Sequence, residues 1–223
     1  MQKTNALVVM LKAPLPGLVK TRLTPPLTPV QAAGLYACFI RDTFNMLTLL
    51  KGVDIYAACA PEGLENGLCA FDGIVPDGFK RLLQRGDNVG RRMFNIFDEL
   101  FKKNYKKVLI MGSDSPDLPH TYIEEAYALL DGQVKVVLGP AMDGGYYLIA
   151  MDAPSAVPFR MIPWSTEKAL EMTIENLRFS AMSFKLLKPW YDIDTSDYLR
   201  LLKDNAAAPE SSGFMEAVTG KGQ

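Results

Sequence analysis

Short, continuous apolar runs alternate with amphipathic segments along most of this chain, and this alternation constrains the fold more than any other feature. The apolar runs predict buried strands at 5–11, 53–60, 107–111, 134–138, 146–151 and 183–187. The segments between them predict helices beginning after Thr28 and at 89–102, 120–130, 165–177 and 196–203. Continuous apolar strands between helices are typical of a mostly parallel sheet covered on both faces. We therefore predict an α/β domain.

Several residues predict where these helices begin. Thr28 and Gln31 have the spacing of a capping box, with Pro29 at the first helical position. Ser165 is predicted to cap a later helix, and Asp117 to cap the helix at 120–130. In sheets of this kind ligands bind beyond the carboxyl ends of the strands, so the loops directly after strands are the candidates for function.

Length and composition indicate one globular domain. The chain has 223 residues, of which 48% are hydrophobic and 22% charged. We expect a single domain over 1–204 and a flexible tail over 205–223, which is rich in Ala, Ser and Gly. The three cysteines Cys38, Cys59 and Cys69 lack C-x-x-C spacing and are interpreted as buried, reduced thiols.

Charge and hydropathy exclude broad classes of partner. A formal net charge of −1 gives no general electrostatic reason to bind nucleic acid or an anionic membrane. No apolar run approaches the ~18 residues of a membrane span, and the apolar stretch near the N-terminus is too short for a signal peptide. We predict a cytoplasmic protein that meets any anion through a local cluster of cations.

The loop after the first strand, APLPGLVKTRL, has the composition of a phosphate-binding loop. Pro14 stiffens it, Gly17 permits close backbone approach, and Lys20 and Arg22 supply charges suited to phosphate oxygens. It is not a P-loop, because Val19 and not a glycine precedes the lysine. The alternative is a solvated basic loop.

A second candidate loop, QRGDNVGRRM, leads into the helix at 89–102. Gly86 lies in a turn before the helix N-terminus, where free backbone N–H groups attract anions, and Gln84 is predicted to contact the edge of a base. The alternative is an ordinary turn and helix cap.

Three aspartates are candidate ligands of a divalent cation. Asp114 comes directly after a predicted strand in GSDSPDLP, beside Ser113, and is suited to holding Mg²⁺ or Mn²⁺ against a diphosphate. Asp192 and Asp194 follow the last predicted strand and alternate along an extended segment, so both can face one site. Which of these two contacts the metal is left open.

The segment GPAMDGGYYLI joins two predicted strands and is a candidate substrate site. Asp143, Gly144 and Gly145 form a tight turn where a substrate can lie close, and Tyr146 and Trp164 offer aromatic surface for a sugar or acceptor. A plain hairpin turn and a core tryptophan are the alternatives.

The histidine content limits the chemistry. His120 is the single histidine, and it follows Pro119 at a predicted helix start, so we interpret it as a surface residue; this leaves no Ser-His-Asp or Cys-His pair and no His-rich metal site. Carboxylates, cations and backbone groups remain. Phosphoryl or glycosyl transfer from a nucleotide fits these groups, because such reactions depend on positioning and charge stabilisation.

The ordered set KAPLPGLVKTRL, AAGLYACFIRD, QRGDNVGRRM, GSDSPDLP, GPAMDGGYYLI, WS and DIDTSDYL resembles a bacterial family. It is the family labelled radical-SAM/selenodomain-associated transferase or uncharacterised glycosyltransferase, and the resemblance runs from about residue 5 to 202. The chain is also similar to 2-phospho-lactate guanylyltransferase and, more distantly, to the molybdenum-cofactor guanylyltransferase. The resemblance implies the GT-A nucleotide-diphospho-sugar transferase fold.

The resemblance also implies roles for particular residues. Lys20 and Arg22 would contact nucleotide phosphates, Asp114 would hold the metal, and Asp194 or Asp192 would be the second carboxylate. Glycosyltransferases of this fold commonly carry D-x-D, whereas Gly112 stands two residues before Asp114, as in the nucleotidyltransferase branch.

The sequence thus predicts a transferase that depends on Mg²⁺ or Mn²⁺ and uses a nucleotide-diphospho-sugar donor and a small-molecule acceptor. Lys20 and Asp143 are its predicted catalytic residues. One alternative is nucleotidyl transfer from an NTP to a phosphorylated small molecule, with release of pyrophosphate. Another is a non-catalytic nucleotide-binding module. The oligomeric state is left open.

Overall fold

A seven-stranded sheet with helices on both faces forms the centre of the molecule in the computed structural model, which describes residues 3–63 and 71–220. Cys69 lies outside the described residues. The strands are β1 (Lys3–Leu11), β2 (Val53–Cys59), β3 (Lys80–Leu83), β4 (Tyr105–Met111), β5 (Val136–Pro140), β6 (Tyr146–Met151) and β7 (Phe184–Leu186). The helices are α1 (Pro29–Leu47), α2 (Val89–Lys102), α3 (His120–Leu129), α4 (Ala169–Phe179), α5 (Ser196–Leu199) and α6 (Pro209–Thr219).

The strand order is β3-β2-β1-β4-β6-β5-β7. β1 pairs in parallel with β2 and β4, β2 with β3, and β5 with β7, whereas β6 runs antiparallel to both of its neighbours. The predicted fold class, an α/β domain with a mostly parallel sheet, is confirmed.

Alternate residues of the central strand supply two hydrophobic cores. Leu7, Val9 and Leu11 belong to the core under α1 and α3, and Ala6 and Val8 belong to the core under α2 and α4. Because successive strand side chains point to opposite faces, a strand buried on both faces must be apolar at every position. This explains the continuous apolar run at the start of the chain.

The two neighbours of β1 in the sheet, β2 and β4, lie on opposite sides of it. Such a switch point opens a crevice outside the carboxyl ends of the two central strands. The loop after β1 and the loop after β4 both begin at this crevice. The first carries the predicted phosphate-binding residues and the second the predicted metal ligand Asp114.

Local signals located some helix ends and missed others. The Thr28–Gln31 capping box is present, with both reciprocal hydrogen bonds formed. Ser165 does not cap α4, because its φ of 65° turns the backbone away and the helix begins only at Ala169. Asp117 does not cap α3 either; its carboxylate accepts hydrogen bonds from other segments.

The tail differs from its prediction. Of the predicted flexible tail over 205–223, the described part contains helix α6, which packs on α1 with the ring of Phe214 directly over Gly34. The sequence did not reveal this helix for two reasons. Its composition is only weakly apolar, and the backbone N–H groups at its N-terminus are capped by a residue distant in sequence. Asp42 of α1 is buried and accepts hydrogen bonds from the backbone N–H groups of Glu210, at 3.0 Å, and Ser211, at 2.9 Å.

Helix length and the state of the cysteines were also predicted from the sequence. Over the described ranges, the helices are all too short or too polar to cross a bilayer. Cys38 and Cys59 are free and buried, as predicted, and burial raises the pKa of the Cys59 thiol to about 12.

We predict that Asp42→Ala lowers the free energy of unfolding by about 1–3 kcal/mol, because it leaves the buried N–H groups at the start of α6 without an acceptor. Urea unfolding measures the loss, and Asp77→Ala, at an exposed position, is the matched control. Equal midpoints for the two variants would show that α6 does not depend on this cap.

Candidate active site

A cleft of about 590 Å³ opens at the carboxyl edge of the sheet. The loops after β1 and β4 form one wall, and the β5–β6 turn and the segment before α4 form the other. Ten of the residues predicted from the sequence line this cleft: Lys20, Arg22, Gln84, Ser113, Asp114, Asp143, Gly145, Tyr146, Trp164 and Asp194. The predicted candidates from separate loops therefore converge on one place.

The floor of the cleft is an ion cluster centred on Lys20. Its Nζ lies 2.6 Å from Oδ1 of Asp114 and 2.8 Å from Oδ1 of Asp194, and it donates a third hydrogen bond to the carbonyl oxygen of Ile193, at 2.9 Å. An ammonium group has three N–H donors. All three are directed at protein oxygens, whereas the sequence predicted that this group would face a phosphate.

Backbone and packing hold Lys20 in this place. The residue has a left-handed conformation, with φ 48° and ψ 37°, and precedes a short 3₁₀ turn at 21–23. Its side chain is 3% exposed, and Nζ lies 4.9 Å from the centre of the Phe39 ring. Burial alone would lower the pKa of Lys20, but the carboxylates of Asp114 and Asp194 outweigh burial and raise it above its ordinary value. The ammonium is therefore charged at neutral pH.

The two carboxylates of the cluster also contact solvent. The side chain of Asp114 is 43% exposed and that of Asp194 36% exposed. The backbone N–H of Ile193 donates to the carbonyl oxygen of Asp114, at 2.9 Å, which fixes the segment after β7 against the loop after β4. Residues about 80 positions apart in sequence are thereby held side by side at the cleft.

Asp192 lies behind this cluster and does not line the cleft. Ser115 Oγ donates a hydrogen bond to its carboxylate, at 2.6 Å. Burial, and then the negative charge of Asp114, raise the pKa of Asp192 to about 7. Of the two aspartates that the sequence left open, Asp194 is therefore the one that the structure places beside Asp114.

A hydrogen-bonded chain supports the loop after β4 from below. The backbone N–H of Lys12 donates to the hydroxyl of Tyr36, which lies 2.7 Å from Ser113 Oγ, and Ser113 in turn donates to the carbonyl of Met10. Burial and the nearby Asp114 raise the pKa of Tyr36 to about 12, so it remains a neutral donor. The predicted nucleotide-binding Ser113 thus also holds the ends of β1 and β4 together.

Gln84 is placed differently from its prediction. Its side-chain amide donates to the carbonyl oxygens of Leu11, at 3.1 Å, and Ala58, at 2.7 Å. Both donors of the amide are thus used to join the ends of β1 and β2, and the side chain is buried. Gln84 forms part of the cleft wall, and its NH₂ group is not directed toward a base.

The far wall of the cleft is formed by the β5–β6 turn and an aromatic pair. The backbone N–H of Gly145 donates to Asp143 Oδ1, at 2.8 Å, which orients that exposed carboxylate. The rings of Tyr146 and Trp164 pack edge to face with centroids 6.3 Å apart. The Trp164 indole lies directly over Gly90 in the first turn of α2.

Five predicted site residues lie outside the cleft lining: Pro14, Gly17, Gly86, Gly144 and Asp192. Gly144 is required by the turn itself, because its φ is +88° and a Cβ would lie 2.1 Å from the carbonyl oxygen of Glu167. Gly86, at φ +138°, accepts a hydrogen bond from Arg92 Nε at 3.1 Å. These glycines shape the walls of the cleft.

Three charged residues that the sequence analysis did not single out also line the cleft: Lys12, Arg92 and Glu167. Arg92 makes a bidentate ion pair with Glu62. The signal for Arg92 was its place in the GRRM run one turn inside α2. Lys12 and Glu167 carried no distinguishing pattern.

The donor atoms fit a hard divalent cation only in part. In the described ranges no three Asp, Glu, His or Cys side chains gather as a metal-binding group. Two carboxylates, Asp114 and Asp194, face the cleft together, and Mg²⁺ is commonly bound by one or two carboxylates with phosphate oxygens and water completing its shell. The site therefore fits Mg²⁺ or Mn²⁺ in the company of a ligand that brings its own oxygens.

We predict that Gly90→Ala destabilises the protein by about 1–3 kcal/mol, because the new Cβ would lie 2.4 Å from the Trp164 ring and would displace it. Urea unfolding measures the loss. Gly213→Ala in α6 is the matched control, since nothing lies within 4 Å of its Cβ position. Unchanged stability of Gly90→Ala would contradict the packing of the indole against α2.

Several solved structures share the fold of this chain. A protein from Desulfovibrio desulfuricans G20, described as a candidate nucleotide-diphospho-sugar transferase, is 28% identical, with a TM-score of 0.86 over 99% of this chain and 96% of that chain. CMP:2-keto-3-deoxy-manno-octonic acid synthetase in complex with CTP is 14% identical, with a TM-score of 0.57 over 90% and 97% of the two chains. Rv0371C of Mycobacterium tuberculosis H37Rv, in complex with manganese, is 12% identical, with a TM-score of 0.54 over 92% and 100%.

Comparison with curated proteins gives no match. A family model described as "Uncharacterized protein conserved in bacteria (DUF2064)" matches residues 43–166, which is more than half of the chain and includes α2, Asp114, the β5–β6 turn and Trp164. The relation to 2-phospho-lactate guanylyltransferase stays a prediction. The chain belongs to the bacterial DUF2064 family.

Proposed function

We propose that this protein is a glycosyltransferase that depends on Mg²⁺ or Mn²⁺ and takes its sugar from a nucleotide-diphospho-sugar. The observation that carries the proposal is the distribution of charge along one cleft. Cations and the Asp114–Asp194 pair stand at the β1–β4 end, and the carboxylate of Asp143 stands at the β5–β6 end. A donor with an anionic diphosphate and a neutral sugar matches that order.

The cations of the β1–β4 end are suited to the diphosphate. Arg22 is exposed in the loop after β1, and Lys12 lines the same part of the cleft. Guanidinium groups bind phosphate oxygens in a forked geometry. Asp114 and Asp194 would hold the metal, which when bound supplies charge stabilisation for the phosphates.

The opposite end is suited to an acceptor hydroxyl. Asp143 accepts a hydrogen bond from Gly145 and is ion-paired to no Lys or Arg in the described part of the chain. Its carboxylate is exposed in the cleft and open to an acceptor hydroxyl, as that of a general base must be. Tyr146 and Trp164 add aromatic surface of the kind that packs against sugar rings.

The reaction would proceed by direct displacement. The acceptor oxygen bonds to the anomeric carbon, and the bond from that carbon to the diphosphate oxygen breaks. Its electron pair leaves with the nucleoside diphosphate, and the hydroxyl proton passes to Asp143. A cleft of about 590 Å³ falls within the roughly 300–1,000 Å³ typical of small-molecule sites.

Nucleotidyl transfer from an NTP is the second candidate, and the cation content favours it. Lys12 and Arg22 at one end of the cleft would also suit a triphosphate. A phosphorylated acceptor bound at the end of the cleft that Asp143 and Glu167 line, however, would meet like charges, which repel it. The similarity to the 28%-identical candidate nucleotide-diphospho-sugar transferase also supports the sugar donor.

The two reactions are separated by the bond that breaks. The enzyme is incubated with Mn²⁺, NTPs, nucleotide sugars and a pool of cell metabolites, and nucleoside diphosphate and pyrophosphate are assayed in parallel. We expect nucleoside diphosphate from a nucleotide sugar. Pyrophosphate from an NTP, with no nucleoside diphosphate, would establish the second candidate. The absence of both products would indicate a non-catalytic nucleotide-binding module.

We predict that Asp143→Asn lowers kcat about 10²–10⁴-fold without changing donor affinity, because the amide cannot accept the proton. Steady-state kinetics and donor binding by calorimetry measure the two effects. Asp197→Asn, at an exposed position outside the cleft, is the matched control. Full activity of Asp143→Asn would remove this residue from the reaction, and loss of activity in Glu167→Gln instead would assign the base to Glu167.

We also predict that Asp114→Asn weakens nucleotide binding in the presence of Mn²⁺ by about 1.5–3 kcal/mol, which is roughly tenfold or more. Binding in the absence of Mn²⁺ should not weaken, because the role of the carboxylate is to hold the cation. Asp197→Asn again serves as the control. Equal affinity of variant and wild type with Mn²⁺ would make the loop after β4 purely structural.

A further inference from the structure

Lys20 was predicted to bind phosphate, yet its surroundings suit a different role. Its side chain is 3% exposed, and its three donors are directed at Asp114, Asp194 and the carbonyl of Ile193. To contact a phosphate in the cleft it would have to give up bonds to two carboxylates and leave the Phe39 ring. The exposed Arg22, two residues further on, has no such cost.

We propose that Lys20 is a fixed counter-charge that disfavours a bare divalent cation at Asp114 and Asp194 and makes metal binding depend on the nucleotide phosphates. This inference rests on the proposed function, because it concerns the same carboxylates. Lys20 is accordingly a positioning residue, which acts through the two aspartates and not on the substrate.

The charges of the cluster explain the effect. Two carboxylates attract a divalent ion, but the ammonium between them already cancels one of the two charges and lies within 2.8 Å of both groups. An ion that bound to the exposed parts of the same carboxylates would stand a few ångströms from a buried positive charge. At that range, in a partly buried site, solvent screens the repulsion between the two positive charges only weakly.

The phosphates of the nucleotide restore the balance. A diphosphate brings negative charge and oxygen ligands to the side of the ion that faces the cleft, which offsets the repulsion from Lys20. The affinities for metal and for nucleotide are therefore coupled, and linkage requires each ligand to strengthen the other by the same factor. A lone Mg²⁺ or Mn²⁺ would gain little by entering the site.

Packing makes the counter-charge permanent. Lys20 adopts a left-handed backbone conformation at the start of a 3₁₀ turn, and its ammonium is held over Phe39 beneath the two aspartates. A surface lysine could swing away when a metal arrives, whereas this one is enclosed on the side opposite the cleft. The ammonium thus remains in the cluster whether or not the metal is present.

The test is direct measurement of Mn²⁺ binding, by the paramagnetic resonance signal of free Mn²⁺, with manganese chloride alone and with each of ADP, GDP, CDP and UDP. The variants are Lys20→Gln, which removes the charge and keeps a donor, and Lys20→Met, which removes both. Lys20→Arg keeps the charge and is the matched control. Circular dichroism establishes which variants are folded, and having two neutral variants keeps the test decisive if one fails to fold.

We expect wild type to bind Mn²⁺ alone weakly. It should bind Mn²⁺ far more tightly in the presence of the nucleoside diphosphate whose base the protein recognises. A neutral variant should bind Mn²⁺ alone about tenfold more tightly or better, with the coupling to nucleotide reduced by a similar factor. Lys20→Arg should resemble wild type. Unchanged or weaker binding of Mn²⁺ alone by the folded neutral variants would overturn the proposal.

The same measurements test the proposed function and the role of Lys20 separately. If no nucleoside diphosphate binds to wild type with or without Mn²⁺, the proposed function fails, while the comparison of Mn²⁺ alone still tests Lys20. If wild type binds a diphosphate but the neutral variants lose that affinity in the absence of Mn²⁺, Lys20 is a phosphate ligand and the proposal about its role is wrong.

Discussion

The charged cluster of Lys20, Asp114 and Asp194 is the interaction on which the rest of the site depends. It joins three segments that are distant in sequence, the loop after β1, the loop after β4 and the segment after β7. A buried ammonium without partners would be costly, so these loops are stable only when they meet. The sheet brings their starting points to one edge, and the cluster then fixes how they lie against each other.

Much of the fold was predictable because its strongest determinants are local. The stretches 6–9 of β1, 56–59 of β2 and 108–111 of β4 are buried on both faces and are therefore apolar, and α2 begins and ends where its amphipathic pattern does. β3, with the sequence KRLL, is a half-exposed edge strand without such a pattern. The start of α6 depends on Asp42, about 170 residues earlier, and no local signal reveals a cap of that kind.

Most of the site residues predicted from the sequence line the cleft, but the contacts that each of them makes were not predicted. Sheet topology explains why Arg22, Asp114 and Asp143 share a cleft, since each follows a strand that ends at the same edge. What each group contacts depends on burial and on competing partners. Lys20 is saturated by carboxylates and Gln84 by backbone carbonyls, and residue type and spacing carry no information on either.

The central claim is that Asp114 and Asp194 together hold a divalent cation against the diphosphate of a nucleotide. The most direct test is a crystal structure of the protein with Mn²⁺ and a nucleoside diphosphate, with anomalous scattering used to locate the metal. The account predicts a manganese peak in contact with both carboxylates and with phosphate oxygens, and Arg22 beside the diphosphate. Manganese bound elsewhere, or a diphosphate bound outside this cleft, would contradict it.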